Sequence, residues 1–180
     1  MRKILLAVLA VVLAGLPAWA EDVDTVESTV GGTIPALCQI LIAGNLTGLL
    51  TLAQDGSGES AYDDGYIESA ADATVLTLDA NKNWKLSVKY NGDGWSCPGA
   101  YDKDESDLLI QITNVPTGTI QNSFDGYVSP TVANVEMLLH ASGVSNNEVE
   151  IQTKVLLDWT ADIPGAYAIT LTYTMETYTP

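Results

Sequence analysis

Two carboxylate-rich segments are the first residues of this sequence whose types and spacing could do chemistry. Calcium takes about six to eight oxygen ligands from loops of this kind. The run 102–107 alternates carboxylates but lacks the glycine and the closing glutamate of an EF-hand loop. One interpretation is therefore a calcium site, and the simpler one, which we favour, is a pair of solvated acidic loops. The candidate ligands are Asp55, Asp63, Asp64, Asp93, Asp102, Asp104 and Asp107.

Aromatic side chains in segments with loop-like composition form a second candidate site. Ring faces stack on the apolar faces of sugars, and neighbouring carboxylates accept hydrogen bonds from sugar hydroxyls. These aromatics therefore indicate a carbohydrate site. The competing interpretation, which we favour, is that Trp95 packs over a disulfide at Cys97 while the tyrosines fill loops. The candidate aromatics are Trp95, Tyr101, Tyr62 and Tyr66.

Catalytic chemistry has little support in the residue types. His140 is the only histidine, and no serine lies in a Gly-x-Ser-x-Gly setting. A thiol–histidine pair would need a reduced cysteine, whereas the N-terminal residues described next indicate an oxidising destination, in which cysteines form disulfides. We therefore expect no enzymatic activity and no catalytic residue. Apart from calcium, the sequence indicates no cofactor.

The N-terminus has the composition of a signal peptide. Arg2 and Lys3 precede an apolar run over 4–16 and a small-residue cleavage site ending at Ala20. The run is shorter than the ~20 residues of a membrane span. We therefore expect residues 1–20 to be removed and the protein to be secreted or held at the cell surface, meeting the membrane only during export. An oxidising destination predicts a Cys38–Cys97 disulfide, with free thiols or an intermolecular bridge as alternatives.

The charge balance excludes several classes of partner. The chain has 23 acidic and 7 basic residues, for a net charge of −16. Removal of residues 1–20 takes two bases and no acids, which leaves 5 bases, 23 acids, a net charge of −18 and no arginine. Binding to nucleic acid or to an anionic membrane surface is therefore not expected.

Alternating hydrophobicity predicts strands separated by turn-rich clusters. The clearest strands cover 149–159 and 167–178, with Pro164-Gly165 between them as the turn of a hairpin. Their inward positions and that of the strand at 84–90 predict a core containing Trp84, Trp159 and Tyr173. The segment 130–141 fits a helix or a strand, and we favour the strand. Further strands are expected at 34–42, 47–52, 73–79 and 108–112, with the cluster 55–65 as a loop.

These elements predict one all-β domain, an antiparallel β-sandwich over 34–180. Residues 21–33 are polar and contain glycine, and we expect them to be an extended N-terminal segment ahead of it. Asn45 begins an N-glycosylation sequon, which matters only in a host that glycosylates exported proteins.

The C-terminal residues resemble a known group of proteins. Asp158-Trp159, the run 162–167 and the Thr/Tyr alternation to Tyr173 resemble the closing hairpin of secreted prokaryotic Ig-like β-sandwich surface proteins, the spore-coat-U and pilin-like group and the WxL-type domains. The segment 83–88 is similar to a strand of these proteins, and Cys38 is placed as in the coat-U and pilin-like members. The tandem Trp-x-Leu motifs of WxL domains are absent. The resemblance implies an Ig-like sandwich with a structural or adhesive role.

Two functions follow as hypotheses. The first is a cell-surface structural or adhesive protein, a pilus-like subunit that assembles with other copies or with cell-surface components by β-strand addition. Val26, Val30 and Ile34 fall on one face of a strand, so residues 21–33 could complete a neighbour's sheet. The alternative is a secreted carbohydrate-binding or calcium-dependent adhesion module, with glycans as partners.

Overall fold

The computed structural model of the chain describes residues 33–44, 46, 49, 52, 54 and 56–179. Several predictions lie outside these residues: the signal peptide 1–20, the segment 21–33 except Thr33, the sequon residue Asn45 and the candidate ligand Asp55. Most of the predicted strand at 47–52 also lies outside them. The described fold belongs to the compact unit Pro35–Pro180.

The first sheet is built around the longest strand of the described residues. Its strands are β1 (Cys38–Ala43), β2 (Tyr66–Glu68), β3 (Thr74–Ala80), β5 (Leu108–Asn114) and β8 (Val144–Leu156). All pairings are antiparallel. One side of β8 pairs with β3 and then β2, and the other side pairs with β5. β1 lies beyond β3, at the edge of the sheet.

The second sheet contains β4 (Trp84–Tyr90), β6 (Thr119–Ile120), β7 (Val135–His140) and β9 (Leu171–Thr177). Its order is β6–β7–β4–β9, again with antiparallel pairs, so β9 is an edge strand. The two sheets pack face to face, and the predicted all-β sandwich is confirmed. The segment at 130–141 supplies the strand β7, as favoured from its sequence.

The core lies between the sheets and follows the period of two along each strand. On β8, Val149, Ile151, Thr153 and Val155 point inward and are buried, while the residues between them are more exposed. Trp84 is fully buried in the main cluster, as predicted. Each large apolar side chain buried in this way stabilises the fold by about 1.5–3 kcal/mol. No helix among the described residues is long and apolar enough to cross a lipid bilayer.

The predicted hairpin between the last two strands is wrong. β8 ends at Leu156 in the first sheet, while β9 begins at Leu171 and pairs with β4 in the second. The intervening segment 157–170 therefore crosses from one sheet to the other. Trp159 lies on this crossing segment instead of in a strand, and its side chain is 56% exposed instead of belonging to the core.

The predicted loop at 55–65 contains a helix, α1 (Ser57–Asp64). The Glu59 side chain accepts a hydrogen bond from the Gly56 N–H at 2.9 Å, which caps the first turn. Gly65 ends the helix in the left-handed region at φ 77°, a conformation that glycine adopts without strain. The cap and the terminating glycine are sequence signals that the polar composition obscured.

The predicted Cys38–Cys97 disulfide is also wrong, since both cysteines are free thiols. Cys38 Sγ lies 3.4 Å from the Met175 carbonyl oxygen, whereas Cys97 follows Ser96, which bridges to Ala168. Ala168 and Met175 are separated by roughly 20 Å of extended chain. A disulfide requires Cα atoms within about 7 Å. The cysteines therefore lie too far apart, and Trp95 has no disulfide to cover.

Candidate functional site

The second acidic segment makes local contacts. Asp104 accepts a hydrogen bond from the Ser106 N–H at 2.8 Å, and hydrogen bonds from Ser106 lower the pKa of the Asp104 carboxyl. Asp107 pairs with Lys103 at 2.9 Å, while Asp93 and Asp102 face solvent. No three histidine, cysteine or acidic side chains within the described ranges are grouped to hold a metal ion. The calcium site thus stays a prediction without support from these ranges.

The four candidate aromatics are not brought together. Trp95 is buried against Leu108 and Val155, and its indole N–H donates to the Asp104 carbonyl at 3.1 Å. The Tyr101 hydroxyl donates to Asp162 at 2.9 Å. Tyr66 lies elsewhere, under the Lys154 ammonium at 4.2 Å from its ring centre. Of the four, Tyr62 lines a cavity beside the exposed Trp159, and Trp95 lines a second cavity.

That cavity, which we call the loop cleft, has a volume of about 380 Å³ and lies between α1 and the crossing segment 157–170. Its aromatic wall is the pair Tyr62 and Trp159, with ring centres 4.7 Å apart. The Trp159 indole N–H donates to Asp63 Oδ1 at 3.1 Å, which holds the exposed ring in one orientation. The residues that matter for its chemistry are Gln54, Glu59, Tyr62, Lys103, Trp159, Asp162 and Tyr167.

A buried ion pair forms the floor of the loop cleft. Lys103 and Asp162 are only 2% and 3% exposed, and Lys103 Nζ lies 2.9 Å from Asp162 Oδ1. Asp162 Oδ2 also accepts the Asp158 N–H at 3.1 Å, and Asp107 is the second carboxylate on Lys103. These bonds attach the crossing segment to the loop before β5. Lys103, the one cation among the described residues that line the loop cleft, is therefore already neutralised.

Burial and hydrogen bonding oppose each other at this pair. Burial alone would raise the pKa of Asp162, but hydrogen bonds from Lys103, the Asp158 N–H and Tyr101 lower it overall. Burial alone would lower the pKa of Lys103, but bonds to Asp162 and Asp107 raise it. Burial, followed by the bond to Asp162, raises the pKa of Tyr101 to about 12. Both members of the pair are therefore charged at neutral pH.

The second cavity, which we call the edge groove, lies between the sheets beside β1 and β9 and measures about 800 Å³. Every side chain lining it is uncharged, in a protein of net charge −16. Ile42 points into the edge groove yet is 63% exposed. Thr153, only 2% exposed, also lines it, and its Oγ1 has no hydrogen-bond partner among the described residues. Other lining residues are Leu49, Leu52, Trp95, Leu171 and Tyr173.

The strands flanking the edge groove leave backbone groups unpaired. Thr170 and Tyr178, the residues on either side of β9, make backbone hydrogen bonds to the β4 side. Because backbone groups alternate in direction along a strand, those of Leu171 and Tyr173 face away from β4. The backbone of Leu37, the residue before β1, likewise forms a hydrogen bond on the β3 side. By the same alternation, the backbone groups of Ile40 and Ile42 face away from β3. No described strand forms a ladder with either outer edge.

His140 lies at neither cavity. Its Nε2 is 2.8 Å from Ser142 Oγ, on the exposed turn between β7 and β8. The ring also packs near Trp84, with centres 5.8 Å apart. This placement is that of a half-buried residue at the end of a strand.

No protein-family model matches the chain, and no curated protein shows significant sequence similarity to it. The resemblance to secreted surface proteins therefore stays a prediction.

Sequence reasoning missed three features of these sites. It placed Trp159 in the core, it left Lys103 within a solvated acidic run, and it assigned no role to Asp162. One signal was available for the pair, since Lys103 is the only base in a run of carboxylates. The edge groove had no local signal, because it depends on which strands remain unpaired.

Proposed function

We propose that the protein is an exported cell-surface subunit that joins other copies or cell-surface components by β-strand addition at the edge groove. The observation that carries the proposal is an uncharged inter-sheet groove flanked by two strand edges that no strand of the described residues covers. An exposed, apolar strand edge is a hazard unless something covers it. Strand addition covers the edge with backbone hydrogen bonds and fills the groove with alternate side chains.

Charge and polarity favour an extended peptide over a small apolar ligand. The backbone groups of Leu171 and Tyr173 on β9 need donors and acceptors spaced as in a strand. The hydroxyl of Thr153, which has no partner among the described residues, needs one further polar partner inside an uncharged surface. A buried hydroxyl without a partner costs about 1–3 kcal/mol. An incoming strand can satisfy both requirements at once.

The segment 21–33 of a second copy has a suitable sequence. In an extended conformation Val26, Ser28 and Val30 share one face, while Thr25, Glu27 and Thr29 share the other. The first face offers two apolar side chains and one hydroxyl, matching the lining of the edge groove and its unpaired Thr153. The second face is polar and suits solvent.

The test compares two charge-matched variants of the chain without residues 1–20. Val26→Asp with Val30→Asp adds two charges to the inward face, and Thr25→Asp with Thr29→Asp adds two to the outward face. We expect filaments or oligomers in electron micrographs and light scattering for the unaltered protein and the outward variant. The inward variant and a deletion of 21–33 should stay monomeric, because a buried unpaired charge is strongly unfavourable.

Two results would contradict the proposal. One is an unaltered protein that stays monomeric at every concentration and in mixtures with cell-surface extracts. The other is assembly that survives the inward substitutions or the deletion.

A further inference from the structure

Trp159 is the exposed tryptophan among the described residues, and contacts with its neighbours fix the orientation of its ring. Its ring packs on Tyr62 at 4.7 Å between centres, and its N–H is fixed by Asp63 at 3.1 Å. The crossing segment beneath it is anchored by the buried Lys103–Asp162 pair. An indole kept 56% exposed by three separate contacts is pre-organised for a ligand.

The polar groups of the loop cleft restrict the class of ligand. Lys103 is neutralised by two carboxylates, so the described residues of the cleft offer no available cation for a phosphate or an acidic ligand. Glu59 and Gln54 offer carboxylate and amide groups at the wall. A flat aromatic surface beside hydrogen-bonding groups matches a molecule with one apolar face and a rim of hydroxyls.

We propose that the loop cleft binds a neutral saccharide, with a pyranose ring stacked on Trp159 and its hydroxyls bonded to Glu59 and Gln54. The site lies on the segment 157–170 and α1, and it does not involve the segment 21–33. Gln54, Glu59 and Trp159 line the loop cleft alone, although Leu52, Gly165 and Tyr167 line both the loop cleft and the edge groove. Saccharide binding therefore does not require assembly through the segment 21–33. Together the two would make the protein an adhesive subunit.

The tryptophans of the fold provide a direct readout. Trp84 and Trp95 are 0% and 7% exposed, and Trp19 belongs to the predicted signal peptide. Quenching of fluorescence by acrylamide, a neutral quencher, therefore reports mainly on Trp159 in the chain without residues 1–20. A saccharide stacked on the ring should shield it from acrylamide and shift its emission to shorter wavelength.

The experiment screens the chain without residues 1–20 on a glycan array and then titrates neutral oligosaccharides of glucose, mannose, galactose and N-acetylglucosamine. We expect at least one to bind and to protect Trp159 from acrylamide. Trp159→Ala should weaken that binding about tenfold or more, and Trp159→Phe less, because stacking is partly kept. Val132→Ala removes another exposed apolar side chain and should leave binding unchanged.

A second variant guards against a change of fold. Glu59→Gln keeps an oxygen to cap Gly56 but loses the carboxylate, so its melting temperature should match the unaltered protein while binding weakens about threefold or more. No binding on the array or in titration would overturn the proposal, as would equal binding by Trp159→Ala. Protection of Trp159 by tetramethylammonium but by no sugar would overturn it in favour of a cation site.

Discussion

Lys103 is the residue on which the geometry of the loop cleft depends most. Its ammonium is almost completely buried and bonds to Asp107 on its own loop and Asp162 on the crossing segment. Asp162 in turn accepts bonds from Tyr101 and the Asp158 N–H. A single side chain thus connects two loops that are distant in sequence.

Replacing Lys103 with methionine should destabilise the fold strongly. The change keeps most of the volume but leaves the Asp162 carboxylate buried without its cation, which typically costs about 3–5 kcal/mol. Urea denaturation followed by circular dichroism measures the change in free energy of unfolding. Lys85→Met is the control, because Lys85 pairs with Glu176 at the surface and such pairs contribute about 1 kcal/mol or less. Equal losses in both variants would contradict a special role for the buried pair.

The Lys103–Asp162 pair also predicts how the stability of the fold changes as the pH falls. The pKa of Asp162 is lower in the folded protein than its usual value near 3.8, so the unfolded chain binds the proton first. The stabilisation is present above that value and is lost as the pH falls from about 4 through the lower folded pKa. Melting temperatures measured from neutral to acidic pH should fall less steeply for Asp162→Asn, which removes the titrating group. Parallel curves would show that Asp162 does not contribute.

The pair could not have been located from the sequence. Lys103 and Asp162 are 59 positions apart, and their contact depends on the crossing segment folding back over the loop before β5. The sequence shows only that Lys103 lies among carboxylates. The same dependence on distant folding explains why Trp159, which continues the alternating pattern of β8, is exposed instead of buried.

At the scale of the strands, alternation was predictable and pairing was not. The period of two predicts the strands β3, β4, β5, β8 and β9, because the alternation of apolar and polar residues is visible within each strand alone. Which strand pairs with which depends on the path of the connections. The predicted hairpin turn at Pro164-Gly165 is a bend within a longer segment that changes sheets.

The outer edge of β9 should give an alternating pattern of hydrogen exchange. In the unassembled protein, the amides of Thr172 and Thr174 bond to β4 and should exchange slowly, while those of Leu171 and Tyr173 face the edge groove and should exchange quickly. Assembly by strand addition should protect Leu171 and Tyr173 as well. Exchange measured by nuclear magnetic resonance on monomer and assembly resolves the residues. Slow exchange of all four amides in the monomer would show that the edge is already paired.

At the scale of the whole molecule, charge and its absence are segregated. The chain carries 23 acidic residues, yet none of those in the described part of the chain lines the edge groove, and the loop cleft holds its charges mainly in a neutralised pair. The acidic surface keeps copies apart, since like-charged molecules repel over a Debye length. This electrostatic repulsion is weakest at the edge groove, because the groove is uncharged. Association of copies therefore depends on a balance between apolar contact and long-range repulsion.

Assembly should accordingly accelerate with salt. The chain without residues 1–20 carries −18, and its copies repel strongly at about 0.01 M salt, where the Debye length is ~30 Å. At about 0.15 M that length falls to ~8 Å, so the copies approach more easily while the apolar contacts are kept. Light scattering should show faster growth of oligomers at the higher salt, and the inward-face variant Val26→Asp with Val30→Asp should show none at either. Slower growth at the higher salt would mean that attraction between opposite charges, and not an uncharged groove, joins the subunits.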